Sequence, residues 1–144
     1  MQTSVKLTCL ACGQVNRVPS AKLQSAPKCA KCGKLLADGT VASLDVALHD
    51  KAVRNDEVPL IVDYWAPWCG PCKMMAPEYA KASGALRGAA RFTKIDTEQH
   101  PTVSQRLNIR GIPLLILYKN GKEVERLSGA RPASDIEAFV RRHI

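Results

Sequence analysis

Three Cys-x-x-Cys pairs constrain this chain more than any other feature, because closely spaced thiols bind metal, form disulfides or exchange electrons. The pairs are Cys9/Cys12, Cys29/Cys32 and Cys69/Cys72. In a reducing cytosol such pairs bind metal or carry out redox chemistry more often than they form structural disulfides. Two pairs lie near the start of the chain and the third lies near its middle, which indicates two different sites.

The composition changes near residue 40. All seven aromatic residues lie after residue 41, and residues 1–40 carry six Lys or Arg against one Asp. The aliphatic residues of this segment are few and scattered: Val5, Leu7, Leu10, Val15, Val18, Leu23, Leu35 and Leu36. A segment with so little apolar surface does not fold on a core of its own. We therefore divide the chain into a module over 1–40 and a domain over 41–144.

The first residues, Met1 to Lys6, lack the apolar run of a signal peptide. No stretch approaches the roughly 18 apolar residues that a membrane span needs. We therefore expect a cytoplasmic protein without a membrane partner.

The first two cysteine pairs have the spacing of a zinc site. Sixteen residues separate Cys12 from Cys29, within the range of Cys-x2-Cys sites that bind zinc with four thiolates. Gly13 and Gly33 follow the pairs and suit tight turns that aim N–H groups at the sulfurs. Four thiolates leave no open position for water, so we predict one structural zinc ion held by Cys9, Cys12, Cys29 and Cys32. Two disulfides are the alternative.

Nucleic-acid binding is a second interpretation of this module, because zinc ribbons often bind nucleic acid. Five basic side chains are available for phosphates: Arg17, Lys22, Lys28, Lys31 and Lys34. No aromatic side chain is available for base stacking. We therefore favour a solvated basic face and expect no nucleic-acid partner.

Residues 41–144 show a regular periodicity. Val58–Ala66 is an apolar, β-rich run typical of a buried strand, and a helix from Cys72 to about Leu86 contains Pro77, which bends it. The remaining predictions are strands at Val41–Ala42, Arg91–Ile95, Leu114–Tyr118 and Glu123–Leu127, and helices at Asp45–Arg54, Thr102–Leu107 and from Ala133. Asn120-Gly121 predicts a hairpin turn. We write the order of these elements as βαβαββα, which predicts an α/β sandwich.

The segment from Val62 to Lys73 contains Trp-Cys-Gly-Pro-Cys and resembles the active-site segment of the thioredoxins. Further segments match the family in order: Lys94-Ile95-Asp96, Arg110-Gly111-Ile112-Pro113, Tyr118-Lys119-Asn120-Gly121 and Gly129. With its four-cysteine module, the chain is similar to the zinc-binding thioredoxins, a second cytosolic thioredoxin of many bacteria. The resemblance implies a thioredoxin fold, a central mixed sheet flanked by helices, preceded by a small zinc-ribbon-like module.

The third cysteine pair is the expected redox centre. Cys69 precedes a helix start, where free N–H groups and the helix dipole lower a thiol pKa below about 8.5, so Cys69 is the attacking sulfur. Cys72, expected to be less exposed, resolves the mixed disulfide. The resemblance assigns Asp63 as general base, through water, with a pKa raised by burial and moderated by Lys94. Half of a metal site is the alternative for the two cysteines, and a tolerated buried acid is the alternative for Asp63.

The resemblance also implies a substrate-binding surface. Pro113 matches the family's cis-proline, which lets the backbone of Ile112 pair with an extended substrate segment. The other residues of this surface are Trp68, Gly70, Pro71 and Gly111. The chain departs from the family pattern at Leu114, where Thr more often follows the proline. We interpret Trp65 as packing and His49, His100 and His143 as surface residues.

These observations favour a protein-disulfide reductase that a flavin-dependent thioredoxin reductase recharges, as the resemblance implies. No Gly-x-Gly-x-x-Gly fingerprint occurs, so we expect no bound organic cofactor and electrons supplied by a partner. One alternative is a zinc-ribbon adaptor that binds protein or nucleic acid. Another is an oxidant or isomerase, which fits poorly without an export signal.

Overall fold

The N-terminal segment folds as a small hairpin followed by a loop that returns to it. The computed structural model describes residues 3–144. Strand β1 (Ser4–Thr8) pairs antiparallel with β2 (Val15–Pro19), and a short 3-10 turn follows at Ser20–Lys22. A single bridge between Lys28 and Leu35 closes a second turn. The hairpin and the second turn each carry one of the two N-terminal cysteine pairs.

The rest of the chain forms a mixed sheet with helices on both faces. Its strands are β3 (Ala42–Ser43), β4 (Leu60–Trp65), β5 (Arg91–Asp96), β6 (Leu114–Lys119) and β7 (Lys122–Ser128). Its helices are α1 (Val46–Asn55), α2 (Gly70–Ala85), α3 (Pro101–Arg106) and α4 (Ala133–Arg141). The observed order, βαβαβαββα, contains every strand and helix that was predicted individually. The written order βαβαββα was wrong, because it omitted one helix–strand pair.

Strand β4 lies at the centre of this sheet. The strand order is β3-β5-β4-β6-β7, with β4 parallel to β5 and antiparallel to β6. Alternate β4 side chains point to opposite faces. Ile61 packs with α2 and α4, whereas Leu60, Val62 and Tyr64 pack on the side of α1 and α3. Cys69 follows β4 after a short turn, so it lies at the carboxyl end of the central strand, at the edge of the core.

Local chemistry explains where the helices begin. Asp45 caps α1, because its carboxylate accepts a hydrogen bond from the Leu48 N–H at 2.8 Å. Helix α2 begins at Gly70, two residues earlier than predicted, because Pro71 is tolerated in a first turn, where its missing N–H has no intrahelical partner. Pro77 lies inside α2, as predicted.

The two segments share a hydrophobic cluster. Val5, Leu7, Val18 and Leu36 of the N-terminal segment pack with Val58. Val58 was predicted as the start of the central strand, but β4 begins at Leu60. The prediction was wrong there, because the apolar run continues into a residue that packs on the N-terminal segment instead of the sheet.

A buried ion pair reinforces this contact. The side chains of Arg91 and Asp56 are 4% and 1% exposed and form a salt bridge. Arg91 also donates to the carbonyl oxygens of Leu36 at 2.9 Å and Thr8 at 2.8 Å. The second Asp56 oxygen accepts from the Thr8 N–H at 2.9 Å. We call Arg91, Asp56, Thr8 and Leu36 the interdomain clamp.

His49 contradicts the prediction that the three histidines lie on the surface. It is 3% exposed, and its ring nitrogens bond the Tyr64 hydroxyl at 2.7 Å and the Asp50 carboxylate at 2.9 Å. Burial lowers its pKa, although Asp50 acts in the opposite direction. His100 and His143 are half-buried. The histidine of α1 is covered because that helix packs on the sheet.

Within residues 3–144, no helix combines the length and the apolar character required to cross a membrane.

Candidate dithiol and four-cysteine sites

Two similar turns present the four N-terminal cysteines. In the first, the Gly13 N–H donates to the Cys9 carbonyl at 2.8 Å, and Gly13 has φ +83°. In the second, the Gly33 N–H donates to the Cys29 carbonyl at 2.9 Å, and Gly33 has φ +78°. Both glycines occupy the left-handed region, which a side chain disfavours. The glycines singled out in the sequence therefore close both turns.

The four sulfurs lie within 4.8 Å of one another. Cys9 Sγ is 3.6 Å from Cys32 Sγ, and Cys12 Sγ is 3.7 Å from Cys29 Sγ. A tetrahedral site with Zn–S bonds of about 2.3 Å has sulfur–sulfur edges of about 3.8 Å. None of the four cysteines forms a disulfide. The donor set therefore fits zinc, and the sulfurs pair between turns and not within them.

Asn16 connects the two turns and was missed in the sequence. Its amide nitrogen donates to the Gln14 carbonyl at 3.1 Å, and its oxygen accepts from the Ala30 N–H at 3.0 Å. Asn16 is buried in β2. Hydrogen bonds from the Cys32 N–H and from Asn16 lower the pKa of Cys29 to about 6. A lowered thiol pKa favours the thiolate form. In the same cluster, against the backbone hydrogen bond at Lys34, burial and the neighbouring thiols raise the pKa of Cys32 to about 11.

Cys69 and Cys72 form a disulfide at the start of α2. Cys69 is the N-cap residue, and its sulfur accepts from the Cys72 N–H at 3.2 Å. The two cysteines are 4% and 3% exposed, so residue burial does not distinguish the attacking from the resolving sulfur in this oxidised state. A sulfur at this position lies where the helix dipole stabilises negative charge.

The peptide before Pro113 faces the disulfide. The Ile112–Pro113 bond is cis, and the Ile112 carbonyl oxygen lies 3.9 Å from Cys69 Sγ. Pro113 is buried, whereas Ile112 is half-buried and packs against the two cysteines with Ala66. Leu114, the first residue of β6, is 5% exposed. The structure thus brings the predicted proline loop and the predicted dithiol together.

Asp63 lies in β4 and is 4% exposed. Burial raises its pKa to about 7, against the opposing positive charge of Lys94, which sits opposite it on β5. Asp63 Oδ1 has no hydrogen-bond partner among residues 3–144. An unpartnered buried carboxylic acid that titrates near neutral pH is suited to proton transfer.

Lys94 also contacts an aromatic ring. Its ammonium lies 4.9 Å from the centre of the Trp65 ring, a cation–π distance. Trp65 is half-buried beside the two cysteines, in agreement with a packing role. The Lys94 ammonium therefore lies against the Trp65 ring, on the face of the sheet that also carries Asp63.

An exposed surface surrounds the disulfide. Trp68 is 68% exposed and Met74 is 75% exposed, although both are large and apolar. Gly70, Pro71 and Gly111 are also exposed. Met74 was not singled out in the sequence. Its position near the start of a helix, two residues after Cys72, is the signal that could have identified it. Exposed apolar side chains at a reactive edge provide a contact surface for a partner.

Two family models match the chain. The model described as "Thioredoxin" matches residues 40–142, and the model described as "Thioredoxin 2, N-terminal" matches residues 8–34. Thioredoxin C-3 of Corynebacterium nephridii is 37% identical over 134 residues, covering 93% of this chain and 92% of the relative. Thioredoxin of Haemophilus influenzae is 34% identical and covers 72% and 97%. The first alignment therefore extends into the N-terminal segment.

Solved structures show the same likeness. Chloroplastic thioredoxin z superimposes with a TM-score of 0.67 at 30% identity, covering 72% of this chain and 93% of that chain. The thioredoxin of Malassezia sympodialis gives a TM-score of 0.64 at 29% identity, covering 76% and 95%.

Proposed function

Because this chain belongs to the thioredoxin family of thiol-disulfide oxidoreductases and has the thioredoxin fold, we propose that it reduces disulfides in other proteins. Cys69 and Cys72 are the proposed redox pair. The observation that supports this most directly is their disulfide at a helix start, beside the cis Ile112–Pro113 peptide and the exposed Trp68.

The proposed reaction is a pair of thiol-disulfide exchanges. In the reduced protein, the Cys69 thiolate attacks one sulfur of a substrate disulfide, and the other substrate sulfur leaves as a thiolate. The Cys72 thiolate then attacks Cys69 Sγ, breaks the mixed disulfide and releases the second substrate thiolate. Two electrons pass to the substrate, and the enzyme ends with the Cys69–Cys72 disulfide that this structure contains.

Asp63 is the proposed general base for Cys72. The Cys72 thiol must lose its proton before it attacks, and a carboxylate with a pKa of about 7 accepts protons at physiological pH. A water molecule would relay the proton. Lys94 lowers the Asp63 pKa from the value that burial alone would give, so it is the proposed positioning residue.

The surface around the dithiol is the proposed substrate-binding site. The residues proposed to form it are Trp68, Gly70, Pro71, Gly111 and Ile112. An extended substrate segment would pair with the backbone of Ile112, in the manner of an added β-strand. The cis-proline, Pro113, keeps that backbone facing Cys69.

The catalytic cycle needs a source of electrons. We propose that a flavin-dependent thioredoxin reductase donates the electrons and that the protein acts in the cytoplasm. A disulfide reductase must return to its dithiol form after each cycle, and a reducing compartment maintains that form.

The N-terminal segment is a proposed zinc module. We propose that Cys9, Cys12, Cys29 and Cys32 hold one structural zinc ion, supported by the sulfur distances and by the N-terminal family match. The ion would supply folding free energy and no open coordination position for chemistry. We retain the division into 1–40 and 41–144, which agrees with the separate β-sheets of the two parts.

The reduction potential of the Cys69–Cys72 pair tests the proposed function. Equilibrating the full chain with glutathione buffers and trapping the thiols gives this potential. Reductases of this chemistry lie near about −270 mV, whereas strong oxidants lie near about −120 mV. We expect a value near the lower end. A potential near the oxidant value would overturn the reductase assignment.

A further inference from the structure

A groove extends from the cis-proline loop along the β6 and β7 edge. Its cavity volume is about 460 Å³. Its lining includes the apolar residues Ile109, Ile112 and Leu114 and two basic residues, Arg110 and Arg126. Ile112, whose carbonyl oxygen lies 3.9 Å from Cys69 Sγ, is thus shared by the dithiol surroundings and the groove. A substrate segment bound at the dithiol therefore lies next to the groove.

The positive charge of the groove is only partly neutralised. Glu123 binds Arg126 through two hydrogen bonds of 2.7 and 3.0 Å. Arg110 donates to the Asn108 amide oxygen at 3.3 Å, and it has no ion pair in the described chain. No carboxylate lines the cavity.

A second arginine without a salt bridge lies beside the groove, next to the Ser128 position that pairs with Leu114. Arg131 is exposed and donates its Nε–H to the Ser128 carbonyl at 3.1 Å, and Ser128 lines the cavity. Like Arg110, it forms no salt bridge within residues 3–144. The remaining N–H groups of both guanidiniums are therefore available to a carboxylate.

The opposite side of the reactive edge carries charges of both signs. Asp96 ends β5, the exposed Glu98 follows it, and Lys94 lies two residues before Asp96 on the same strand. Strand β5 lies on the other side of β4 from β6. Acidic side chains are therefore present beside β5, whereas none lines the groove beside β6 and β7. This difference favours one orientation of a charged partner as it approaches.

We propose that this groove is a subsite for acidic substrate segments, with Arg110 and Arg131 as specificity-determining residues. This inference rests on the proposed function. In an extended segment, side chains two residues apart point the same way at about 6.8 Å. A substrate paired with the Ile112 backbone would therefore place a Glu or Asp near its target cysteine over the basic groove.

Three matched disulfide peptides test this subsite. They differ only in carrying Glu, Gln or Lys at two positions flanking the reactive cysteine. The full reduced chain is assayed with each peptide at low salt and at 0.3 M salt. We expect kcat/KM to be about 10-fold higher for the Glu peptide than for the Lys peptide at low salt, mainly through KM, and the difference to shrink with screening.

Charge-neutralising variants locate the effect. Arg110→Gln combined with Arg131→Gln should reduce the Glu-to-Lys preference to about two-fold while leaving reduction of the Gln peptide unchanged. Arg87→Gln combined with Arg54→Gln removes the same two charges from exposed sites, just beyond the other end of α2 and near the end of α1, and is the matched control. It should keep the preference.

Equal kcat/KM for the three peptides, or a preference that survives the double variant, would overturn this subsite while leaving disulfide reduction intact. A preference lost equally in the control, Arg87→Gln with Arg54→Gln, would assign it to net charge and also overturn the subsite. Failure to reduce even the Gln peptide would overturn the proposed function itself, and the subsite with it.

Discussion

The two kinds of Cys-x-x-Cys site in this protein differ in the backbone that follows the first cysteine. At Cys9 and Cys29 the chain turns back through a glycine with positive φ, and the sulfurs meet those of the other turn. At Cys69 the chain continues into a helix, and the sulfur bonds its own pair partner. The same spacing therefore gives a cluster of four sulfurs or a disulfide within one pair, depending on the local turn.

The surroundings of the two sites differ as well. The N-terminal segment is attached by its shared hydrophobic cluster and by the interdomain clamp, in which Thr8 directly precedes Cys9. The dithiol opens on exposed surface at Trp68. Cys9 and Cys29 are buried, whereas Cys12 and Cys32 are exposed, so the four-cysteine cluster lies at the surface of this attached segment. Exchange with large partners requires an exposed edge such as the one at Trp68.

Zinc release should give the largest effect. Oxidation of Cys9, Cys12, Cys29 and Cys32 by hypochlorite or peroxide should expel one zinc ion per chain and loosen residues 1–40 to proteolysis, because structural zinc contributes roughly 10 kcal/mol in comparable sites. After selective re-reduction of Cys69 and Cys72, insulin reduction should stay within a few-fold. Zinc absent from freshly purified reduced protein, or activity abolished by its release, would contradict this separation of roles.

Cys69→Ser should lower disulfide reduction to background, because the attacking thiolate is lost. Cys72→Ser should instead accumulate stable mixed disulfides with substrate, visible as adducts on non-reducing gels and cleaved by dithiothreitol. Cys12→Ser, in the other kind of site, serves as control and should trap no substrate. Persistent activity in Cys69→Ser would show that the two sites do not divide the chemistry in this way.

Arg91→Met tests whether the clamp joins the two regions. It leaves Asp56 as a buried unpaired charge and should lower the free energy of unfolding by about 3–5 kcal/mol, measured by urea denaturation. Arg54→Met, at an exposed arginine, should change stability by less than about 0.5 kcal/mol. The double variant Arg91→Met with Asp56→Leu should recover part of the loss. No difference between Arg91→Met and the exposed control would mean that the regions fold independently.

Asp63→Asn should slow turnover by about 10-fold at neutral pH through loss of the general base. Its folded-state pKa of about 7 is raised above the usual carboxyl value, so the stability it contributes is full below about pH 4 and is lost as pH rises through 7. Asp63→Asn should remove that decline and stabilise the protein at pH 8. Unchanged turnover from pH 6 to 8 would remove Asp63 from the mechanism.

Sequence patterns were sufficient for most elements of the larger part. The apolar run of β4, the Asn120-Gly121 turn and the α2 helix around Pro77 all lie within a few residues of their predicted places. These features depend on local periodicity and turn chemistry. The main deviations are at Val58 and His49, whose surroundings come from residues distant in the chain.

The sequence by itself determined which residues are candidates for chemistry. The spacing of Cys9, Cys12, Cys29 and Cys32 indicated a four-sulfur site, and the Trp-Cys-Gly-Pro-Cys segment indicated a dithiol at a helix start. Both signals are local, because they depend on which atoms neighbouring residues can bring together.

Only the tertiary structure decided how the two parts are joined and what lies beside the dithiol. The Arg91–Asp56 pair spans 35 residues of chain, and Arg91 reaches Thr8 across 83. Arg110 lines the groove and Arg131 lies beside it, because β6 and β7 pair and the Gly129 N–H bonds the Pro113 carbonyl at 3.0 Å. No local pattern encodes such contacts, because their free energy depends on burial and charge that exist only after the chain has folded.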